Sequence, residues 1–453
     1  MSHSFTDRWG APVQAADETA VARLDQAIED LVALAGDPAG HADRAVADDD
    51  KLALARIYRA YLSLYGTTAE GVAEARALLK PLEDEAAGSL ARRERQHLAA
   101  ARAWAGGDWQ QATRALEQAL VSDPRDLLAL KVAQDLYFFT GNRLELRDVA
   151  ARVLPAWPAG DPAWGYVQGI WAFGLEENGD YRGAERAAVA ALARNPRDVW
   201  SVHALTHVYE MEGRHEPGVS FLSGSAPDWG GSYFAVHNWW HLGLFLLELG
   251  RTGDALALYH ERIRAARSTE WLDLVDAAAL LWRLSLYGTD VTGLAVALAA
   301  DIGDLVDVPV YLFNDWHAVM TFGLAGNHDR NQRILTANQD LTANQDLTAR
   351  SNRQAAQRAG LRLIEGFAAF AGGDPGTAVD RLIDIRPEAH AVGGSHAQRD
   401  VIDLTLIAAA ARSGQAELAR ALVTERITRK PAAAASARAL VRANGGRDAW
   451  LDW

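Results

Sequence analysis

Apolar residues recur at three- and four-residue steps along most of the chain, as in RAYLSLYG (59–66), QQATRALEQALVSDP (110–124) and GAERAAVAALARNP (183–196). This is the helical period, in which positions three and four apart share a face. Alternating runs of the strand type are nearly absent, and good helix formers (Ala, Leu, Arg, Glu) dominate. The pattern predicts an all-α protein.

A glycine-centred turn punctuates the periodic segments at Gly107, Gly141, Gly179, Gly213 and Gly250, with successive spacings of 34, 38, 34 and 37 residues. Gly288, Gly326, Gly373 and Gly414 continue the series. A second marker, DPRD at 123–126, returns as NPRD at 195–198, two periods later. Each period reads as a helix, a tight glycine turn, a second helix and an Asp/Asn-Pro break whose proline opens the next helix. That is the signature of a helical-hairpin solenoid. The spacing and the GDW/GDY…A…A…P pattern resemble tetratricopeptide repeats, most closely near 92–126 and 164–198. The resemblance implies a right-handed superhelix with the first helix of each hairpin on the concave side.

One interval is anomalous. Gly326 and Gly373 lie 47 residues apart, and between them TANQDLTANQDLTA (336–349) is a six-residue duplication. Six residues turn a helix by about 600°, so an insertion inside a packed helix would misplace every residue beyond it. The duplication is therefore expected in a loop or at an exposed helix end, as a tolerated surface insertion. The chain then reads as one α-solenoid over 1–453. Residues 1–90 are divergent helices packed on the array, 91–326 the tetratricopeptide-like repeats, 327–360 the duplicated loop region and 361–453 degenerate C-terminal repeats.

Composition narrows the function. With 453 residues, 49% apolar and 23% charged, the chain is that of a folded protein. Its net charge of −14 argues against nucleic acid and against a basic membrane anchor. There is no cysteine, which excludes disulfides, thiolate metal sites and a cysteine nucleophile. MSHSFTDRWGAPV lacks the features of a secretory signal, and no apolar run reaches the roughly 18–20 residues of a membrane span. A cytoplasmic location is expected.

The turn glycines act as a ruler for the histidines. His203 lies ten residues before Gly213, His241 nine before Gly250 and His317 nine before Gly326. Gln168 and Asp276 fall about one helical step from the same level. Equivalent positions of successive helices form a column, so these residues are expected to face one interior. His207 and His237 stand four residues from His203 and His241, on shared helix faces. Trp171, Trp239 and Trp240 lie nearby as apolar walls with one donor each. GGSHAQRDVIDL (393–404) adds His396, Arg399 and Asp400 at a helix start capped by Ser395. That start is either a plain cap with internal ion pairs or an anion site.

HALTHVYEMEGR (203–214), HNWWHLGLFLLELGR (237–251), NDWHAVMTFGLAG (314–326) and GGSHAQRD (393–400) resemble the ordered motifs of the tetratricopeptide repeat protein 38 family, and the chain looks like a bacterial member of it. The similarity runs from DRWG at 7–10 to ALVTERITRKP at 421–431. It implies a shared His-bearing core and assigns no single reaction.

Three functions are expected on these grounds. The first is a pocket for a small polar or anionic molecule, with hydrolase or lyase chemistry. In it His203, His207, His237, His241, His317 and His396 supply acid and base, Asp276 or Asp400 orients them, and Arg399, Gln168 and the tryptophans hold the ligand. The second is a metal on His203, His207, His237 and His241. Neither H-x-x-x-H pair carries the H-E-x-x-H glutamate, although Glu210 stands three residues beyond His207, and a cofactor-free site is the expectation. The third is a non-catalytic scaffold holding a peptide or protein partner on its concave face. His3, His41, His97, His215, His260, His328 and His390 receive no functional reading.

Overall fold

The computed structural model describes residues 3–84, 90–343 and 349–447, and helices joined by short turns make up nearly all of them. The turn glycines Gly107, Gly141, Gly179, Gly213, Gly250, Gly288, Gly326, Gly373 and Gly414 all adopt positive φ, between 66° and 88°. A side chain is strained there, which is why glycine recurs. The next residue often caps the helix beyond the turn. Asp108, Asn142, Asp180 and Asp374 each accept a backbone N–H three residues on. The Gly-Asp/Asn pair thus ends one helix and starts another.

The prolines behave differently from the sequence expectation. Pro124 and Pro196 sit in the turns, and the helices begin at Leu127 and Val199. Asp126, the last residue of DPRD, is the N-cap and accepts from Ala129 N–H. The side chain, not the fixed φ of proline, opens the helix. A short antiparallel hairpin, His3–Thr6 with Pro12–Ala15, also departs from an all-helical expectation.

Backbone contacts gather the chain into two compact units. The first comprises 1–205, 228–233 and 346–351; the second comprises 206–227, 234–345 and 352–453. The divisions expected at 90/91, 326/327 and 360/361 do not coincide with these units.

In the first unit, helical hairpins such as Arg92–Ala105 with Trp109–Ser122 and Trp164–Glu177 with Tyr181–Leu192 pack through small and apolar faces. A buried ionic network ties the N-terminal hairpin to them. Arg93 donates to both oxygens of Asp126 (2.8 and 3.0 Å) and to Asp7 (2.9 Å), while Nε2 of His97 lies 2.9 Å from Asp126. Burial raises the Asp126 carboxyl, but Arg93 and His97 outweigh it and hold the group far below the usual range.

In the second unit the hairpins include Ala235–Glu248 with Thr252–Leu258, Trp271–Leu286 with Thr292–Ile302, and Leu312–Leu324 with His328–Ala343. The first TANQDL copy is helical and lies in the last turns of His328–Ala343. Its Asn338 is buried and donates to Asp315 at 3.0 Å. The 327–360 region is therefore largely helical where described, and residues 344–348 of the duplication lie outside the described residues.

Candidate functional site

The helix Val199–Met211 carries both His203 and His207, a turn apart, with His203 in the first unit and His207 in the second. Its buried histidine face arises from the H-x-x-x-H spacing, which a helix turns into one stripe. The helix Ala235–Glu248 repeats the arrangement with His237 and His241, both buried.

The second unit brings three of these imidazoles together. One ring nitrogen from each of His207, His237 and His241 lies within 4.8 Å of the others. The His207 and His241 ring centroids are 4.5 Å apart, those of His237 and His241 4.8 Å, and the half-buried His396 ring lies 5.9 Å from His207.

Carboxylates orient two of the rings from behind. Nδ1 of His237 lies 2.9 and 3.0 Å from the two oxygens of Asp276 on the helix Trp271–Leu286. Nδ1 of His241 lies 3.3 Å from Glu210, whose other oxygen accepts from Lys430 Nζ at 3.2 Å. An ionised carboxylate only accepts, so each Nδ1 carries the proton and each Nε2 keeps its lone pair. This carboxylate–imidazole pairing is the one that orients histidine ligands in metal sites.

Electrostatics favour a neutral His241 ring. Burial lowers the His241 pKa well below the ordinary value, helped by His207, His237, Arg283 and Lys430. Burial pushes Glu210 up, but Lys430 and its neighbours outweigh this and hold it below the usual glutamate value. Burial raises Asp276, opposed by His237 and Arg283.

Other expected site residues fall elsewhere. His317 donates Nδ1–H to Phe313 C=O at 2.7 Å, and its ring packs on Phe313 and Trp316. Among the described residues it makes no ring contact with another histidine. Burial lowers its pKa to about 3. Asp400 is bonded to Arg426, which also reaches Glu248 at 2.6 Å. Arg399 folds back onto the carbonyls of Gly393 and Gly394. Trp239 points away from its neighbour Trp240 and stacks under Arg262 at 5.0 Å. Trp240, by contrast, stacks on His237 with centroids 5.2 Å apart. Gln168 and Trp171 are half-buried in the first unit, where the His203 ring packs on Phe173 and Trp200.

Two cations near the cluster were not anticipated from sequence. Lys430 lies 220 residues from Glu210, and no local motif announces the pair. Arg283, buried on the Asp276 helix, stands seven residues beyond Asp276, two turns on the same face, which is the one signal available. A cavity of about 590 Å³ in the same unit is lined by His215, Glu248, Tyr287 and Ser436 and does not include the imidazole cluster.

No protein-family model matches the chain. Among solved structures it is similar to a human IFIT1 dimer with m7Gppp-AAAA, at 13% identity and TM-score 0.40, covering 97% of this chain and 89% of that one. It is also similar to a human IFIT1 dimer with PPP-AAAA, at 13% identity and TM-score 0.38, covering 92% and 90%. At these scores the likeness carries no argument about ligand, partner or activity.

Proposed function

We propose that this protein is a tetratricopeptide-like binding protein whose second unit holds a divalent first-row transition metal on His207, His237 and His241 and binds a small polar ligand there. The observation that carries the reading is the pairing of His237 and His241 with Asp276 and Glu210 through Nδ1, in a cluster where one ring nitrogen each of His207, His237 and His241 lies within 4.8 Å of the others. Imidazole nitrogens suit zinc, copper, nickel or iron over calcium or magnesium. Three protein ligands leave a coordination position for a ligand atom or water, and hydrolase or lyase chemistry is the extension of the proposal that uses it. The resemblance to the tetratricopeptide repeat protein 38 family, through the same His-bearing motifs, agrees with a common core site.

The metal replaces the cofactor-free expectation because Asp276 and Glu210 stand behind the rings of His237 and His241, where carboxylates orient histidine ligands. The test is elemental analysis of purified, untagged protein, alongside His237→Ala and His241→Ala. About one metal per wild-type chain, lost in both variants, supports the reading. Metal-free wild-type protein that takes up none of these ions on incubation refutes it.

A second reading, a scaffold for a protein partner, is favoured by the hairpin architecture and by Val121, Leu144 and Val189. These side chains are 80%, 56% and 50% exposed on the second helices of three successive hairpins in the first unit. The two readings concern different surfaces and are compatible.

A further inference from the structure

The cavity of about 590 Å³ in the second unit shares no lining residue with the imidazole cluster, and its volume is that of a small-molecule site. It lies where the turns after three helices meet the helix Ala434–Ala443. Gly213, Gly250 and Tyr287 stand at those turns, and Ala435, Ser436 and Ala439 line it from that helix.

The polar groups of this cavity are acceptors. His215 lines it and is 6% exposed, yet among the described residues neither ring nitrogen has a hydrogen-bond partner. A buried polar group of this kind is rare in native folds and marks a place where a ligand or water completes the bonding. Burial holds the ring below its ordinary pKa and therefore neutral at pH 7, so one nitrogen keeps its lone pair. Glu248 accepts from Arg426 on one oxygen, at 2.6 Å, and from Ser436 on the other. A carboxylate has about four lone-pair sites, so each oxygen can accept once more. The one proton of Ser436 is engaged by Glu248 or by the Ala433 carbonyl, which leaves its oxygen only lone pairs to offer.

Charge agrees. Glu216 and Glu248 line the cavity and, among the described residues, no lysine or arginine does. Arg426, the cation behind Glu248, is buried between that residue and Asp400, and Lys430 is bonded to Glu210. Arg214 and Arg251, next in sequence to lining residues, pair with Glu212 (2.9 Å) and Asp254 (2.7 Å). Arg438 is exposed and lies outside the lining. Helix N-termini at His215 and Thr252 and helix C-termini at Glu248 and Leu286 all border the cavity, so backbone dipoles of both signs meet there.

We propose that this cavity binds a small organic ammonium ion, its N–H donors on Glu248 and His215 and its apolar body against Leu247, Leu249 and Pro217. An ammonium brings three donors and a positive charge to walls that offer acceptors and carboxylates. An anion would meet two carboxylates, and a hydrated metal ion would leave the leucines and alanines without a partner. The site needs no metal and is independent of the imidazole cluster.

Cyclohexylamine, protonated at pH 7, is the probe, with cyclohexanol as the neutral isostere. Both are titrated by calorimetry into the protein as purified and again after chelator treatment. The amine is expected to bind at least roughly tenfold more tightly than the alcohol, and Glu248→Gln is expected to abolish the preference. His215→Phe keeps a ring but removes the acceptor, and is expected to weaken the amine roughly fivefold or more. Ala435→Trp, at an exposed lining position, fills the cavity and is expected to abolish binding; it serves as the test if the polar variants fail to fold. Amine that binds no better than cyclohexanol, or equally well in the folded variants, overturns the proposal. Binding lost on chelation by a protein that stays folded places the amine on a metal and overturns it too. Binding that survives chelation upholds it, whatever the metal content of the imidazole cluster.

Discussion

Nδ1 of His237 lies 2.9 and 3.0 Å from the two oxygens of Asp276, 39 residues further along the chain on the first helix of the next hairpin. Both groups are buried, so the contact is held by packing and not by chance encounter at a surface. It fixes which imidazole nitrogen faces the interior. The first prediction is drawn from it. Asp276→Asn keeps the shape but weakens the acceptor and removes the charge, and metal affinity should fall about 10- to 100-fold with the fold retained. Competition against a chromophoric chelator measures the affinity, and circular dichroism checks the fold. Unchanged affinity would mean that Asp276 has no role behind a ligand.

Glu210 bridges His241 and Lys430, and both carboxylate oxygens are therefore engaged inside the second unit. Lys430→Met should destabilise the protein by about 3–5 kcal/mol, because it strands a buried carboxylate. The double variant with Glu210→Gln should recover much of that loss. Denaturant unfolding decides it. Two changes whose costs simply add would show that the pair is not coupled.

The Asp315 carboxyl is pushed up to about 7 by burial, which the hydrogen bond from Asn338 only partly offsets. Between the ordinary value of 3.8 and about 7 the folded state therefore binds the extra proton. Stability falls as pH rises through that window, and the full cost is present above it. Asp315→Asn should be more stable than wild type at pH 8, by on the order of 2–4 kcal/mol. The difference should shrink towards zero near pH 4. Paired unfolding curves at several pH values measure it, and a difference independent of pH would contradict the assignment.

Arg93 joins Asp126 on one side and Asp7 with the Pro12 carbonyl on the other. Arg93→Ala strips the buried Asp7 of its cation and leaves Asp126 with His97 alone, and a loss of about 3–5 kcal/mol is expected. The hairpin His3–Thr6/Pro12–Ala15 should also become accessible to proteolysis while the later hairpins stay protected. Limited digestion coupled to mass spectrometry reads both effects. Unchanged protection of residues 3–15 would show that other contacts hold the hairpin.

The hairpin architecture was legible because its punctuation is local. A glycine that ends a helix at positive φ is a signal that needs no tertiary knowledge, and all nine turns obey it. The ruler laid on those turns set His203, His241 and His317 at one level, and the four-residue spacing put His207 and His237 on the same helix faces as His203 and His241. It failed where neighbours in one helix point apart. Trp239 and Trp240 differ by about 100° around the axis, so only one meets His237. It failed again at His317, which shares the helical level but satisfies its Nδ1 on the Phe313 carbonyl one turn back. Asp276 was within reach, one helical step off the column. Lys430 and Arg426 were not, since their partners Glu210 and Glu248 lie 220 and 178 residues away. Nor was the role of Arg283, whose partners Ala397 and Gln398 lie 114 and 115 residues away.

The central claim is that Nε2 of His237 and His241, with His207, binds a metal. Cobalt(II) titration of chelator-treated protein, monitored by visible absorption, tests it most directly. The account predicts intense ligand-field bands saturating at about one equivalent per chain, absent in His237→Ala and His241→Ala and weakened in Asp276→Asn. A featureless titration of folded wild-type protein, or bands that persist unchanged in the histidine variants, would contradict it.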